Sequence, residues 1–122
     1  MVNSRQLAGP SLVFDLAAEV STLWREAAAH SASVGRTLVK EPTFRVVLTV
    51  IKAGYRCEPH RMAASVSVHT ISGHVCVHTA SGAVDLPAGH LLALEHDVVH
   101  DVEGLEDSAF LQTIAWTART GT

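Results

Sequence analysis

A chain of 122 residues with 48% hydrophobic content is the size of one domain and can bury its own core. Lys and Arg number 9 against 12 Asp and Glu, so the net charge of -3 sets up no field that would draw in a nucleic-acid backbone, and nucleic acid is excluded as an expected partner. No segment approaches the roughly 18 consecutive apolar residues of a membrane span, and Met1 to Ala8 lacks the basic start and apolar run of a secretory signal, so no membrane association and a cytoplasmic address are expected.

In chain order, Gly9-Pro10-Ser11 closes a polar leader expected to be flexible over residues 1–10, leaving 11–122 as a single domain. Asp15 is a candidate N-cap. Leu16, Val20, Leu23, Trp24 and Ala27 then recur at helical spacing, which predicts one amphipathic helix over about 15–30. Ser31 to Gly35 breaks the pattern. From Arg36 the chain turns to short runs rich in β-branched residues at Thr37 to Val39, Phe44 to Ile51, Val66 to Ile71, Val75 to Thr79 and Ala109 to Trp116, a barrel over about 36–117. Lys52-Ala53-Gly54, Ser72-Gly73, Ser81-Gly82 and Pro87-Ala88-Gly89 punctuate these runs. No long helix separates the strands, which excludes parallel βαβ units and leaves an all-β, antiparallel sandwich or barrel.

Ser72-Gly73 reads as a two-residue hairpin turn. Pairing across it sets Thr70 opposite Val75 and Val68 opposite Val77. Alternation then puts Val66, Val68, Thr70, Val75 and Val77 on one face, expected to be buried, and Ser67, His69, Ile71, His74, Cys76 and His78 on the other. Cys57 and Cys76 are read as free thiols, because a pair of cysteines in a chain without a secretion signal is more often unbridged.

Two stretches carry the chemistry. Gly54 is followed by His60, Arg61-Met62, Val66 and Gly73, and Gly89 is followed by Glu95, Asp97 and His100. Their order and spacing resemble the two sequence patterns of the cupin superfamily, over roughly residues 45 to 117. The resemblance implies a cupin-type double-stranded β-helix, the jelly-roll barrel, here with one N-terminal α-helix. It also implies a site in which three histidines and a glutamate usually hold one metal ion. The chain departs from that site: Met62 stands where a second histidine is expected, and Val66 where the glutamate is expected. His90, Glu95, Asp97 and Gly104 also replace residues usual in the second pattern. The relatives suggested are short, stand-alone cupins rather than any one enzyme.

The expected site is therefore a barrel cavity lined by His60, Met62, Val66 and His100 that takes a small molecule. His60 and His100 are the metal candidates, with Glu58, on the same strand parity as His60, as a substitute carboxylate; iron, zinc, manganese and nickel all remain open as the ion. Against metal stands a hydrogen-bonded pair of histidines lining an ion-free cavity. For His69, His74, Cys76 and His78 a zinc site competes with a polar strand face touching water or a neighbouring subunit, and the ladder geometry favours the latter. His90 and His96 are expected in solvated turns.

Three functional classes follow. The favoured one is a ligand-binding cupin without chemistry. The second is an enzyme, a metal-assisted oxygenase or a metal-free isomerase with His60 or His100 as general base. The third is a structural or regulatory module acting as a homodimer, with the helix covering a sheet edge or joining the contact.

Overall fold

Asp15 caps α1 (Leu16–Ala27), its carboxylate accepting from the Ala18 backbone N–H at 3.1 Å. That bond satisfies one of the donors a first helical turn leaves orphaned. The structure, a computed structural model, describes residues 11–28 and 31–116, so the leader expected over residues 1–10 lies outside the described residues. The helix stops at Ala27, short of the expected end. Its apolar stripe buries Leu23 and Ala27 completely, against Leu38, Val39, Leu48, Val50 and Ala109 of a sheet beneath. Full burial of one leucine side chain contributes about 2 kcal/mol. At the edge of this layer Arg36, only 7% exposed, reaches up to Glu19 and Glu26 of the helix.

Eight strands follow: β1 (Ser33–Glu41), β2 (Phe44–Ile51), β3 (Ser65–Ser72), β4 (His74–Thr79), β5 (Gly82–Pro87), β6 (Leu91–Leu94), β7 (His100–Gly104) and β8 (Ser108–Ala115). They form a five-stranded sheet in the order β1-β2-β8-β3-β6 and a three-stranded sheet in the order β5-β4-β7, with every pairing antiparallel. The result is three layers, helix on large sheet on small sheet. Strand alternation serves both interfaces of the large sheet: in β2, Leu48 and Val50 meet the helix while Val47 and Ile51 face the small sheet. In β1 a bulge between Thr37 and Val39 turns Leu38 and Val39 together toward the helix layer.

The predicted hairpin at Ser72-Gly73 does not form. β3 pairs with β6 and β8, and β4 pairs with β5 and β7, so the two strands belong to different sheets. The parity argument nevertheless holds. Val66, Val68, Thr70, Val75 and Val77 are all buried, facing one another across the sandwich instead of lying side by side. At the crossing Gly73 adopts φ 80°, and a Cβ there would lie 2.4 Å from the Asp107 carbonyl oxygen and 2.4 Å from Ser108 Oγ. The turn is thus a packed corner against the start of β8. Ser108 Oγ completes it, accepting from the His74 N–H at 2.9 Å.

Three strands, β5, β6 and β7, were missing from the expected runs. β7 reads His-Asp-Val-Glu-Gly, with little β propensity, and exists because its backbone pairs with β4 and its inward His100 and Val102 are buried. Gly73→Ala combines left-handed strain with steric overlap against backbone, and is expected to cost about 2–4 kcal/mol. A denaturant midpoint that moves by less than about 0.5 kcal/mol equivalent would show that the corner yields.

Candidate functional site

The core fills the sandwich unevenly. One end is packed with Val68, Val75, Val77 and Leu86. At the other, inward positions of β1 are taken by Gly35 and Thr37, and a cavity of about 480 Å³ opens between the sheets. Its walls are apolar at Val47, Met62, Phe110 and Ile114, with Arg45, Thr49, Gln112, His60 and His100 as polar groups among them. That composition, and that size, are typical of small-molecule sites.

His60 and His100 come together here. They form an antiparallel bridge in which the His60 N–H donates to the His100 carbonyl at 2.8 Å and the His100 N–H to the His60 carbonyl at 2.9 Å. Their ring centroids are 6.2 Å apart and tilted by 45°. The two rings differ in environment. His60 is exposed at the mouth; His100 is 3% exposed. His100 Nδ1 lies 3.1 Å from the Val98 carbonyl oxygen, which can only accept, so Nδ1 carries the proton of this bond. In the neutral ring Nε2 is then an acceptor, and it is buried without a hydrogen-bond partner among the described residues.

The remaining predicted residues divide. Glu58 lines the cavity from an exposed position. Met62 lines it while packing against the core. Val66 is a correction: at 4% exposure it sits within the inter-sheet core and is not part of the cavity wall, because the inward face of β3 is used for packing against the small sheet.

A metal of the kind the cupin resemblance implies does not fit these residues. The His100 tautomer would suit a ligand nitrogen, but Met62 is a soft, weak donor and Val66 is none. Among the described residues no three His, Cys, Asp or Glu side chains converge on one point.

The expected four-residue His/Cys face also separates. His74, Cys76 and His78 share the outer face of the small sheet, whereas His69, on β3, lies on the far side of the large sheet. On the small sheet His74 Nε2 pairs with Asp85 at 3.0 Å and His78 Nε2 with Glu103 at 2.8 Å. Beside them Arg56 binds both Asp101 oxygens, at 2.8 and 3.0 Å, and this bond raises the guanidinium above its ordinary value. Burial, reinforced by Glu103 and Asp85, pushes the Cys76 thiol up. These groups satisfy one another and form a polar outer surface. His90 and His96 are both exposed, His90 just after the turn at Gly89.

Most of the cavity residues escaped the sequence reading, Arg45, Gln112 and Cys57 among them. Arg45 and Gln112 carried a legible signal, since each is polar at the inward parity of an apolar strand: Arg45 with Val47 in β2, Gln112 with Phe110 and Ile114 in β8. Cys57 carried none. Both cysteines are free, and burial pushes the half-buried Cys57 thiol up.

No family model matches the sequence, and no curated protein matches it. Solved structures do resemble it. An RmlC-like cupin from Desulfovibrio desulfuricans is 21% identical with a TM-score of 0.63, over 68% of this chain and 81% of that one. A conserved protein of unknown function from Streptococcus pyogenes is 13% identical with a TM-score of 0.70, over 98% of both chains. A salicylate 1,2-dioxygenase mutant from Pseudoaminobacter salicylatoxidans is 13% identical with a TM-score of 0.67, over 83% of this chain but 32% of that one. Across such low identities what is shared is architecture: this chain has the cupin fold, two antiparallel sheets closed around an internal cavity, with one helix packed outside.

Proposed function

We propose that the chain binds a small molecule in the cavity between its sheets, with His100 as the central polar contact and His60 at the mouth. One observation carries this reading: His100 Nε2 is buried, has no hydrogen-bond partner among the described residues, and belongs to a residue lining a cavity of about 480 Å³. A buried acceptor left unsatisfied costs about 1–3 kcal/mol. A ligand O–H or N–H recovers that cost on binding, so the site holds part of its affinity in advance. Apolar walls at Val47, Phe110 and Ile114 supply contact area without competing for the donor. No helix is long and apolar enough to cross a membrane among the described residues.

The same lone pair is what a general base requires, so a metal-free proton transfer on the bound molecule is the second reading. Solvent deuterium entering a bound ligand at carbon, and failing to do so in the His100 variant, would distinguish catalysis from binding.

His100→Leu tests the main reading. It removes an unmet acceptor together with the Nδ1–H bond to the Val98 carbonyl, so stability is expected to change by no more than about 1 kcal/mol, while affinity for any cavity ligand falls by about tenfold or more. Thermal unfolding and titration calorimetry read the two effects separately; a large loss of stability with unchanged binding would sink the reading. Cys57 gives an independent probe. Its raised pKa leaves less thiolate at neutral pH, so alkylation is expected to be slower than for an open thiol and to accelerate as pH rises, and a cavity ligand should slow it further.

A further inference from the structure

A second unmet polar group lies on the same cavity. Among the described residues Arg45 Nε is buried with no hydrogen-bond partner, and the guanidinium is held with its Cζ 5.0 Å from the centroid of the Trp116 ring. Two other arginines of this protein show what such a group ordinarily does. Arg36 engages Glu19 and Glu26, and Arg56 engages both oxygens of Asp101. Among the described residues no carboxylate pairs with Arg45, although it lines a cavity large enough to admit one.

We infer that the ligand is a small organic acid whose carboxylate is gripped by Arg45 and whose own O–H or N–H is accepted by His100 Nε2. This rests on the reading of the cavity as a ligand site and goes further by naming the ligand's chemical class. A guanidinium presents its donors in a planar fork that matches a carboxylate edge in a bidentate pair. The Trp116 ring, its centroid 5.0 Å from Cζ, restrains the guanidinium before binding, so less side-chain freedom is lost when the acid arrives. Of the other charged residues on the lining, Glu58 and Arg61 are exposed and Asp101 is held by Arg56, so the buried charge a ligand meets is that of Arg45, which opposes a cationic ligand. The apolar walls between the polar groups call for a hydrocarbon or aromatic middle. Inorganic phosphate fits less well, having no apolar part to fill Val47, Phe110 and Ile114.

The test is a matched series on the full chain: 4-hydroxybenzoate, mandelate and 3-hydroxyoctanoate, each beside its primary amide, followed by NMR through the Arg45 Nε–H resonance and the cavity methyl groups. The acids are expected to bind about tenfold or more tighter than their amides and to shift the Arg45 Nε–H signal. Arg45→Gln should remove the preference for each acid over its amide, and Arg45→Lys, which keeps the charge without the fork, should fall between. Amides that bind as well as acids, or an acid preference that survives Arg45→Gln, would overturn the acid assignment while the cavity reading stands. Phosphate that displaces the acids at equal concentration would overturn it as well. If neither acids nor amides shift any cavity resonance, both the assignment and the reading beneath it fail. The comparison of acid with amide in the unmodified protein needs no variant, so a misfolded Arg45 variant would not rescue the assignment.

Discussion

The passage of the chain from one sheet to the other at Gly73 is the constraint on which the rest of the structure depends. A tight turn there would keep β3 and β4 in one plane and leave a two-faced ribbon. The corner instead turns the ribbon back on itself, so that Val66 and Val68 of one sheet meet Val75 and Val77 of the other. Glycine makes this possible twice over, by accepting φ 80° and by leaving room for the Asp107–Ser108 backbone where a side chain would stand. A second tie crosses the same interior. Thr70, fully buried, donates through Oγ1 to the Leu86 carbonyl at 2.8 Å, joining the sheets by a polar bond within an apolar layer.

The site follows from how the remaining space is divided. The large sheet has two faces to cover, and α1 takes the outer one with Leu23 and Ala27. That leaves the inner face free to be packed at one end and open at the other. Near Gly73 the inward positions are β-branched and close on one another; toward Arg45 and His100 they become Gly35, Thr37, Thr49 and Gln112, too small or too polar to meet across the gap. The mutual backbone bonds of His60 and His100 hold the wall of that open end in place, so the ring carrying the unmet nitrogen is set by main-chain geometry more than by side-chain preference.

Most of the architecture could be read from the sequence, for reasons that also explain what was missed. The helix was legible because an N-cap and a full apolar stripe agree. β2 and β4 were legible because their runs are long and β-branched. β7 was not, since its strand character comes from pairing with β4 and not from its own residues. The hairpin error has a specific cause: period-2 alternation reports which face a side chain takes, and says nothing about which strand lies alongside. Two valine faces packed across a sandwich leave the same trace as one valine face on a ribbon. In the site, His60 and His100 were visible through spacing alone, while Val66 points inward as its parity requires but packs in the inter-sheet core instead of lining the cavity, which strand parity does not decide. Arg45 was missed for the opposite reason. It belongs to no motif, and its signal is a charge at a parity that the rest of β2 gives to the uncharged Val47, Thr49 and Ile51.

That misfit between residue type and position is what links Arg45 to His100. Among the described residues the buried side-chain polar atoms without a protein partner are the Nε of Arg36, the Nε of Arg45 and the Nε2 of His100. For Arg36 the cost is offset nearby, because both its terminal nitrogens reach glutamates. For the other two no hydrogen bond among the described residues meets the buried atom, and both line the same hollow. Stability alone would favour an apolar residue at either place, and the neighbouring positions show that the strands accept them. A fold that elsewhere pairs His74 with Asp85, His78 with Glu103 and Arg56 with Asp101 shows no shortage of partners for its polar groups. Leaving one donor and one acceptor unmatched on opposite sides of a preformed cavity is therefore a local sacrifice of stability, and such sacrifices are found where a protein must recognise something other than itself.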